Sequence, residues 1–255
     1  MTVFKHNNYY FNLSIPEYEL PVFGFNVGEL RLIENIENIE NKSFLFSDVK
    51  AHLKEQEIKI CTFRGKENIH IIRLLESIGF KFVSTYNIVE CYKKEFAEIE
   101  TNNKVKICLA KTSDFDKTLE IEKTVLDFST FSIDPLIDGN IASKRNSIRV
   151  QSHFAKPNHR IYVSKINNKI AGFIQFNVDI KNKKAETLNA GVNPEYQKME
   201  IGKALFSKAF KILFKEGCEI ITSDYSTQNI GSGRLHILCN FRIVDQEVHL
   251  RYFSK

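Results

Sequence analysis

The chain has 255 residues, 43% of them hydrophobic and 26% charged, with a formal net charge of +5. That length buries one large core or two modest ones, and the composition is that of a globular protein, not a disordered or fibrous one. No apolar run is long enough to span a bilayer, and the lysines are dispersed instead of gathered into a stripe that would hold nucleic acid.

The mild positive charge suits an anionic small ligand. The opening residues lack the charged-then-apolar-then-small order of a secretory signal. Cys61, Cys91, Cys108, Cys218 and Cys239 are scattered, odd in number and without CxxC spacing. That pattern argues against a disulfide framework or a zinc ribbon, implies no metal, and points to a reducing cytoplasm.

Residues 1–100 predict a compact α/β unit. Leu20–Gly28 alternates apolar residues with turn formers, and Leu30–Ile33 follows as strand. Ser47–Leu53 opens with a helix-capping residue, Ile58–Phe63 alternates as a strand does, and Asn68–Phe80 is a helix stopped by Gly79. Lys81–Val83 and Tyr86–Tyr92 return as strand. The polar stretch Glu95–Lys104 is the expected boundary.

A second unit is expected over residues 104–255. Val105–Leu109 is a strand, Thr112–Asp116 caps a helix reaching Val125, and Phe128–Asn140 is an interrupted loop. Ile141–Phe154 is helical. Arg160–Ile166, Ala171–Asp179 and Ala185–Val192 are successive strands joined by turns at Asn167-Asn168 and Lys181-Asn182. Thr187–Ala209 then runs from strand through a turn at Asn193-Pro194-Glu195 and a polar loop into a helix. Ala204, Leu205, Phe206, Ala209, Phe210 and Leu213 form one apolar stripe on that helix. Glu219–Asp224 (strand), Asn229–Cys239 (helix) and Phe241–Tyr252 (strand) close the chain.

Gly202, where the loop becomes the helix, suggests a cradle in which a ligand's phosphates approach unpaired N–H groups at a helix N-terminus. The spacing Gln197-x-x-Glu200-x-Gly202-x-Ala204 resembles the acetyl-CoA pyrophosphate loop of the GNAT superfamily of N-acetyltransferases, Gln/Arg-x-x-Gly-x-Gly/Ala, with Glu200 in place of the first glycine. Asn229-x-x-Ser232-x-x-Leu235-His236-x-x-Cys239-Asn240-Phe241 resembles the family's second motif, Asn-x-x-Ala-x-x-Leu-Tyr-x-x-Leu-Gly-Phe. The order of elements over residues 105–255 is similar to the family's as well.

The resemblance implies an α/β (α+β) GNAT fold with a mixed central sheet and acetyl-CoA as co-substrate. Its pyrophosphate would lie on Lys198, Met199, Glu200, Ile201, Gly202, Lys203 and Ala204 beside Gln197. Its thioester would lie along Leu188, Ala190 and Val192, with Asn229 near the pantetheine arm. His236 stands where the family places a tyrosine that protonates the leaving thiolate. An imidazolium near its ordinary pKa of ~6.5 can donate that proton to a thiolate whose acid has a pKa of ~8.5. Glu186, Asn189 and Asp224 can order a water that relays the proton of the attacking amine.

Asn68–Val83 aligns without gaps on Asn229–Val244, so the first unit resembles a degenerate GNAT-like domain. It has no counterpart of the Gln197–Ala204 loop, and the acceptor is expected between the two halves. Ser129–Pro135, with Phe23-Gly24, resembles the TDP-fucosamine acetyltransferase branch, whose Ser-Arg-Phe-x-x-Asp-Pro stretch has arginine where Thr130 stands. This implies a nucleotide-linked amino-deoxysugar as acceptor, in surface polysaccharide synthesis, with neither nucleic acid nor membrane as partner and a homodimer left open. The alternatives are acetylation of another amine, an amino acid or a protein N-terminus, and a non-catalytic scaffold.

Overall fold

The computed structural model describes residues 2–6, 9–32, 43–101, 105–125, 129–154 and 156–254. In chain order the first elements are β1 (Thr2–His6), β2 (Tyr9–Ser14), α1 (Leu20–Phe23), β3 (Asn26–Leu32), α2 (Ser43–Glu55), β4 (Ile58–Lys66), α3 (Ile69–Ser77) and β5 (Phe80–Tyr92). They are followed by β6 (Lys106–Leu109), α4 (Phe115–Val125), α5 (Gly139–Phe154), β7 (His159–Ile166), β8 (Lys169–Asp179) and β9 (Lys184–Val192). The chain ends with α6 (Ile201–Lys215), β10 (Ile220–Ser226), α7 (Ile230–Leu238) and β11 (Arg242–Phe253). The fold is α/β with a mixed sheet, as the resemblance implies. Ile33, residues 102–104 and Phe128, at the ends of expected segments, lie outside the described residues.

Two compact units divide the chain: Met1–Tyr86 with Gln246–Lys255, and Asn87–Asp245. The expected boundary at residues 95–104 is therefore displaced into β5. The cause is the pairing of the last strand: from Glu247 to Phe253, β11 runs antiparallel to β4 and so returns to the first unit. The two pieces expected over residues 81–92 are one continuous strand.

In the first unit the strand order is β1-β2-β3-β4-β11, antiparallel except for the parallel pair β3 and β4. Leu13, Leu30, Phe63 and Leu250 sit opposite one another in register and are buried. Leu53 of α2 and Leu75 of α3 close over this row as the unit's core. Period-two alternation then sends the neighbours Arg31, Arg64 and His249 to the other face.

In the second unit the order is β5-β10-β9-β8-β7-β6. β6 to β9 form an antiparallel meander. The β7–β8 turn is made by Asn167 and Asn168 with φ of 48° and 61°, the doubly left-handed geometry that a two-residue hairpin requires. The α6 stripe, from Leu205 through Phe206, Ala209 and Phe210 to Leu213, buries against Ile174 and Phe176 of β8. Ile121 of α4 packs with Ile161, Val163 and Phe173 on a separate core, joined by Phe154 of α5.

The internal repeat holds at its corners. Asn68 caps α3 by accepting from the amides of His70 and Ile71, and Asn229 caps α7 by accepting from that of Ser232. Each helix ends at a left-handed residue, Gly79 with φ 111° and Asn240 with φ 62°, just before the phenylalanine that precedes or opens the next strand. Both corners need positive φ, which glycine adopts freely and asparagine tolerates.

Phe210 is fully buried, with Phe206 and Phe241 rings at 5.2 and 5.1 Å and Phe176 at 5.7 Å. Truncating it removes a ring on which Phe176, Phe206 and Phe241 all pack. Phe210→Ala should lower the unfolding free energy by about 3–5 kcal/mol, read as a shift in the urea midpoint.

Candidate active site

The site begins where two strands part. β9 and β10 are parallel and pair over three rows only, from Lys184–Ile220 to Glu186–Thr222. β9 continues to Val192 and β10 to Ser226, so Leu188, Ala190 and Val192 lie on a stretch bonded to β8 and past the last row shared with β10. A parallel pair normally carries evenly spaced bonds along its length. Divergence here leaves peptide groups of β9 directed into the gap.

The loop after β9 points a helix end at the same place. Asn193 fixes it, donating its amide to the Ala171 carbonyl at 2.9 Å and accepting from the Glu195 amide at 3.1 Å. Pro194–Tyr196 then makes one tight turn. Lys198 and Glu200 both take left-handed backbone, with φ of 64° and 62°. The conformation a glycine would supply at residue 200 is thus present, adopted by a glutamate at a cost of about 1–2 kcal/mol.

Glu200 precedes the first turn of α6, which has no side-chain cap. Its carboxylate binds the ammonium of Lys203 at 2.7 Å, which offsets like charge toward an incoming phosphate. Gly202 has a further reason to be small: a Cβ there would meet Leu235 of α7 at 3.3 Å. Gln197, Lys198, Met199 and Glu200 are exposed, whereas the side chains of Ile201 and Ala204 are buried. Those two residues can offer a ligand only backbone.

His236 requires correction as a thiolate acid. Its ring is 2% exposed, its Nδ1 donates to the Ser232 carbonyl at 2.8 Å, and its Nε2 accepts from the Ser223 hydroxyl at 2.9 Å. Tyr225 stacks on it at 5.1 Å, while Phe206 and Phe241 meet it edge-on. Burial holds its pKa down at about 4. At pH 7 only about one molecule in a thousand would carry the proton.

The half-buried Tyr225 belongs to β10 past its last paired row, with its ring against Gly233 of α7. Its hydroxyl occupies the neighbourhood in which the motif led us to expect an acid. Asn229 spends its side-chain oxygen on the cap of α7. Glu186 is exposed, opposite Asn177, and Asp224 is half-buried and exerts a weak pull on His236.

Two buried groups, on α4 and α5, were not expected. Glu122 is fully buried; one carboxyl oxygen accepts from Ser147 at 3.1 Å, and Oε1 has no hydrogen-bond partner among the described residues. Burial raises its pKa to about 7. Asn146 donates to Ser129 and Ser132 at 3.1 and 3.4 Å, which docks the loop after α4 onto α5, and its Oδ1 has no such partner. Nδ2 of Asn189 is in the same condition. The sequence signal was faint: Glu122 is a charged residue next to Ile121 on the buried side of an amphipathic helix. Among the described residues no group of His, Cys, Asp or Glu gathers as a metal would require.

The Acetyltransferase (GNAT) family model matches residues 129–241. No curated protein matches the chain in sequence. Among solved structures, a conserved protein of unknown function from Staphylococcus epidermidis is similar at 11% identity, covering 99% of this chain and 93% of its own, with a TM-score of 0.69. A GCN5-related N-acetyltransferase from Sphaerobacter thermophilus is similar at 14% identity, covering 96% and 76%, with a TM-score of 0.67. A tandem GNAT protein from the clavulanic acid biosynthesis pathway is similar at 8%, covering 97% and 79%, with a TM-score of 0.65. At these identities the structural likeness speaks for the fold. The family match covers residues 129–241, the part of the chain that carries both motifs.

Two outcomes follow from the site's strained and buried residues. Glu200→Gly relieves the left-handed strain and removes an acidic group, so thermal stability and acetyl-CoA affinity should both rise, read by melting and by calorimetry. For His236 the folded pKa lies below the unfolded ~6.5, so the unfolded chain takes the proton first. The ring's contribution is full above pH ~6.5 and is lost as pH falls toward 4, on the order of 2–4 kcal/mol. Urea unfolding of His236→Phe across that window should lack this decline.

Proposed function

We propose that the chain is an acetyl-CoA-dependent N-acetyltransferase acting on the amino group of a nucleotide-linked amino-deoxysugar. The observation that carries this is the parting of β9 and β10 after Glu186 and Thr222, directly before the left-handed loop and the uncapped start of α6. Peptide N–H groups of Leu188–Val192 would hold the thioester carbonyl, and those of Ile201–Lys203 the pyrophosphate.

The neutral amine attacks the carbonyl carbon; the C–N bond forms and the C–S bond breaks. Glu122, poised near neutrality, receives the amine's proton, and the Tyr225 hydroxyl gives one to the thiolate. Glu186 and Asp224 remain candidates for ordering a relay water. Holding amine and thioester together supplies most of the acceleration.

A sugar acceptor is favoured by the polarity of the buried groups. Glu122 Oε1 and Asn146 Oδ1 are acceptors in want of donors, which amine and hydroxyl groups provide. The Ser129–Pro135 stretch that resembles the TDP-fucosamine branch is the segment Asn146 holds. No helix among the described residues is long and apolar enough to cross a membrane.

Titration calorimetry should find micromolar acetyl-CoA binding, weaker for dephospho-CoA and for Lys203→Ala. Transfer to a panel of amino-sugar nucleotides should then lose a rising limb of kcat/KM near pH 7 in Glu122→Gln. Tyr225→Phe should lower kcat by about ten- to a hundredfold with the KM for acetyl-CoA retained. Absence of binding at millimolar acetyl-CoA would rule the catalytic reading out in favour of a scaffold.

A further inference from the structure

The first unit carries a polar row that the proposed reaction does not use. On the sheet face opposite Leu30, Phe63 and Leu250, Arg31 of β3 lies directly across from Arg64 of β4, and Arg64 directly across from His249 of β11. One row away on the same face stand Glu29, Thr62 and Arg251. Like charges placed opposite one another on neighbouring strands destabilise a sheet. This face sets two guanidinium groups in that relation with an imidazole beside them.

Glu247 pairs with Arg64, and Arg251 donates to the Thr62 hydroxyl at 3.3 Å. Counting Lys66, the rows that these three strands share place four cations on the face, Arg31, Arg64, Lys66 and Arg251, against two carboxylates, Glu29 and Glu247, with Asp245 the next residue of the same alternation on β11. The excess is positive.

His249 supplies the second, independent observation. It is 6% exposed, yet neither ring nitrogen has a hydrogen-bond partner among the described residues, and its ring stacks on Tyr86 at 4.5 Å. A neutral imidazole carries one donor and one acceptor, and leaving each buried without a partner works against the fold. Burial and the charges of Arg64, Arg251 and Arg31 hold its pKa down at about 3, so all three guanidinium groups act on the ring.

Charge conflict and an unmet imidazole have one remedy in common, an anion. We propose that the row Arg31–Arg64–His249 binds a phosphoryl-bearing anion. The row spans two strand spacings, about 10 Å, which is more than one carboxylate reaches and suits the chain of oxygens of a diphosphate. Guanidinium groups bond such oxygens in pairs, and the imidazole N–H adds a further donor. Arg31 is exposed and gives the entry side, with His249 at the buried end. The site lies wholly in the first unit and does not rest on the acetyltransferase proposal.

The test is NMR of histidine-labelled full-length protein during titration with inorganic pyrophosphate, in the presence of saturating acetyl-CoA so that the α6 loop is occupied. A single phosphate is the parallel arm. Pyrophosphate should bind more tightly than phosphate and raise the His249 pKa by about 1–3 units, as a close opposite charge does. Arg31→Ala should weaken binding about tenfold, one charge-assisted contact. Lys169→Ala, an exposed lysine on the β7–β8 turn, removes the same charge elsewhere and should leave binding unchanged. Saturation absent up to roughly 10 mM, an unmoved His249 resonance, or equal weakening by the two substitutions would each overturn the proposal. Should acetyl-CoA itself fail to bind, the titration proceeds without it and reads the first unit alone.

Discussion

Two parallel strands that share three rows of hydrogen bonds and then separate leave peptide groups that must be satisfied by something else. In a folded core this is expensive, since a buried amide without a partner costs what a lost hydrogen bond costs. The surroundings of β9 and β10 are arranged to sustain the gap. β8 binds the other edge of β9 up to Val192, the aromatic packing of Phe206, Phe210 and Phe241 secures α6 and α7, and Asn193 anchors the loop between strand and helix. A thioester and a pyrophosphate are ligands with the acceptors that such a gap lacks.

Periodicity made most of the architecture legible. Ile161 and Val163 face one core while Tyr162 faces the other, and the α6 stripe falls on the sheet as its 3.6-residue spacing requires. The Asn-Asn hairpin was readable from residue type alone. The unit boundary was not, because what moves it is long-range pairing: β11 could not be assigned to the first unit without knowing that it bonds β4. A polar linker marks a flexible stretch of chain; it does not say which strand will complete which sheet.

The site was legible in its backbone and less so in its side chains. Spacing located the loop and both motif ends, since a helix start and a strand end are local events. The motif drew attention to His236, but its chemistry depends on Ser223, thirteen residues earlier, and on the aromatic rings around it. Desolvation, which decides whether an imidazole is an acid at neutral pH, is a property of packing and leaves no trace in spacing. Glu122 escaped notice for the same reason in reverse: its raised pKa arises from burial between helices that the residue pattern does not bring together.

Glu200 shows why departure from a motif and loss of its geometry are separate matters. A glycine loop is needed for its left-handed backbone and for the absence of a side chain. Glu200 keeps the first, with φ 62° and ψ 12°, and manages the second by turning its carboxylate onto Lys203. An i,i+3 pair this exposed contributes only a few tenths of a kcal/mol to the fold, less than the strain it accompanies. The strain is therefore carried by the packing of α6, whose first turn is anchored by the fully buried Ile201 and Ala204. The same core pins the helix start, so the loop's left-handed geometry depends on burial behind it more than on the residue that departs from the pattern.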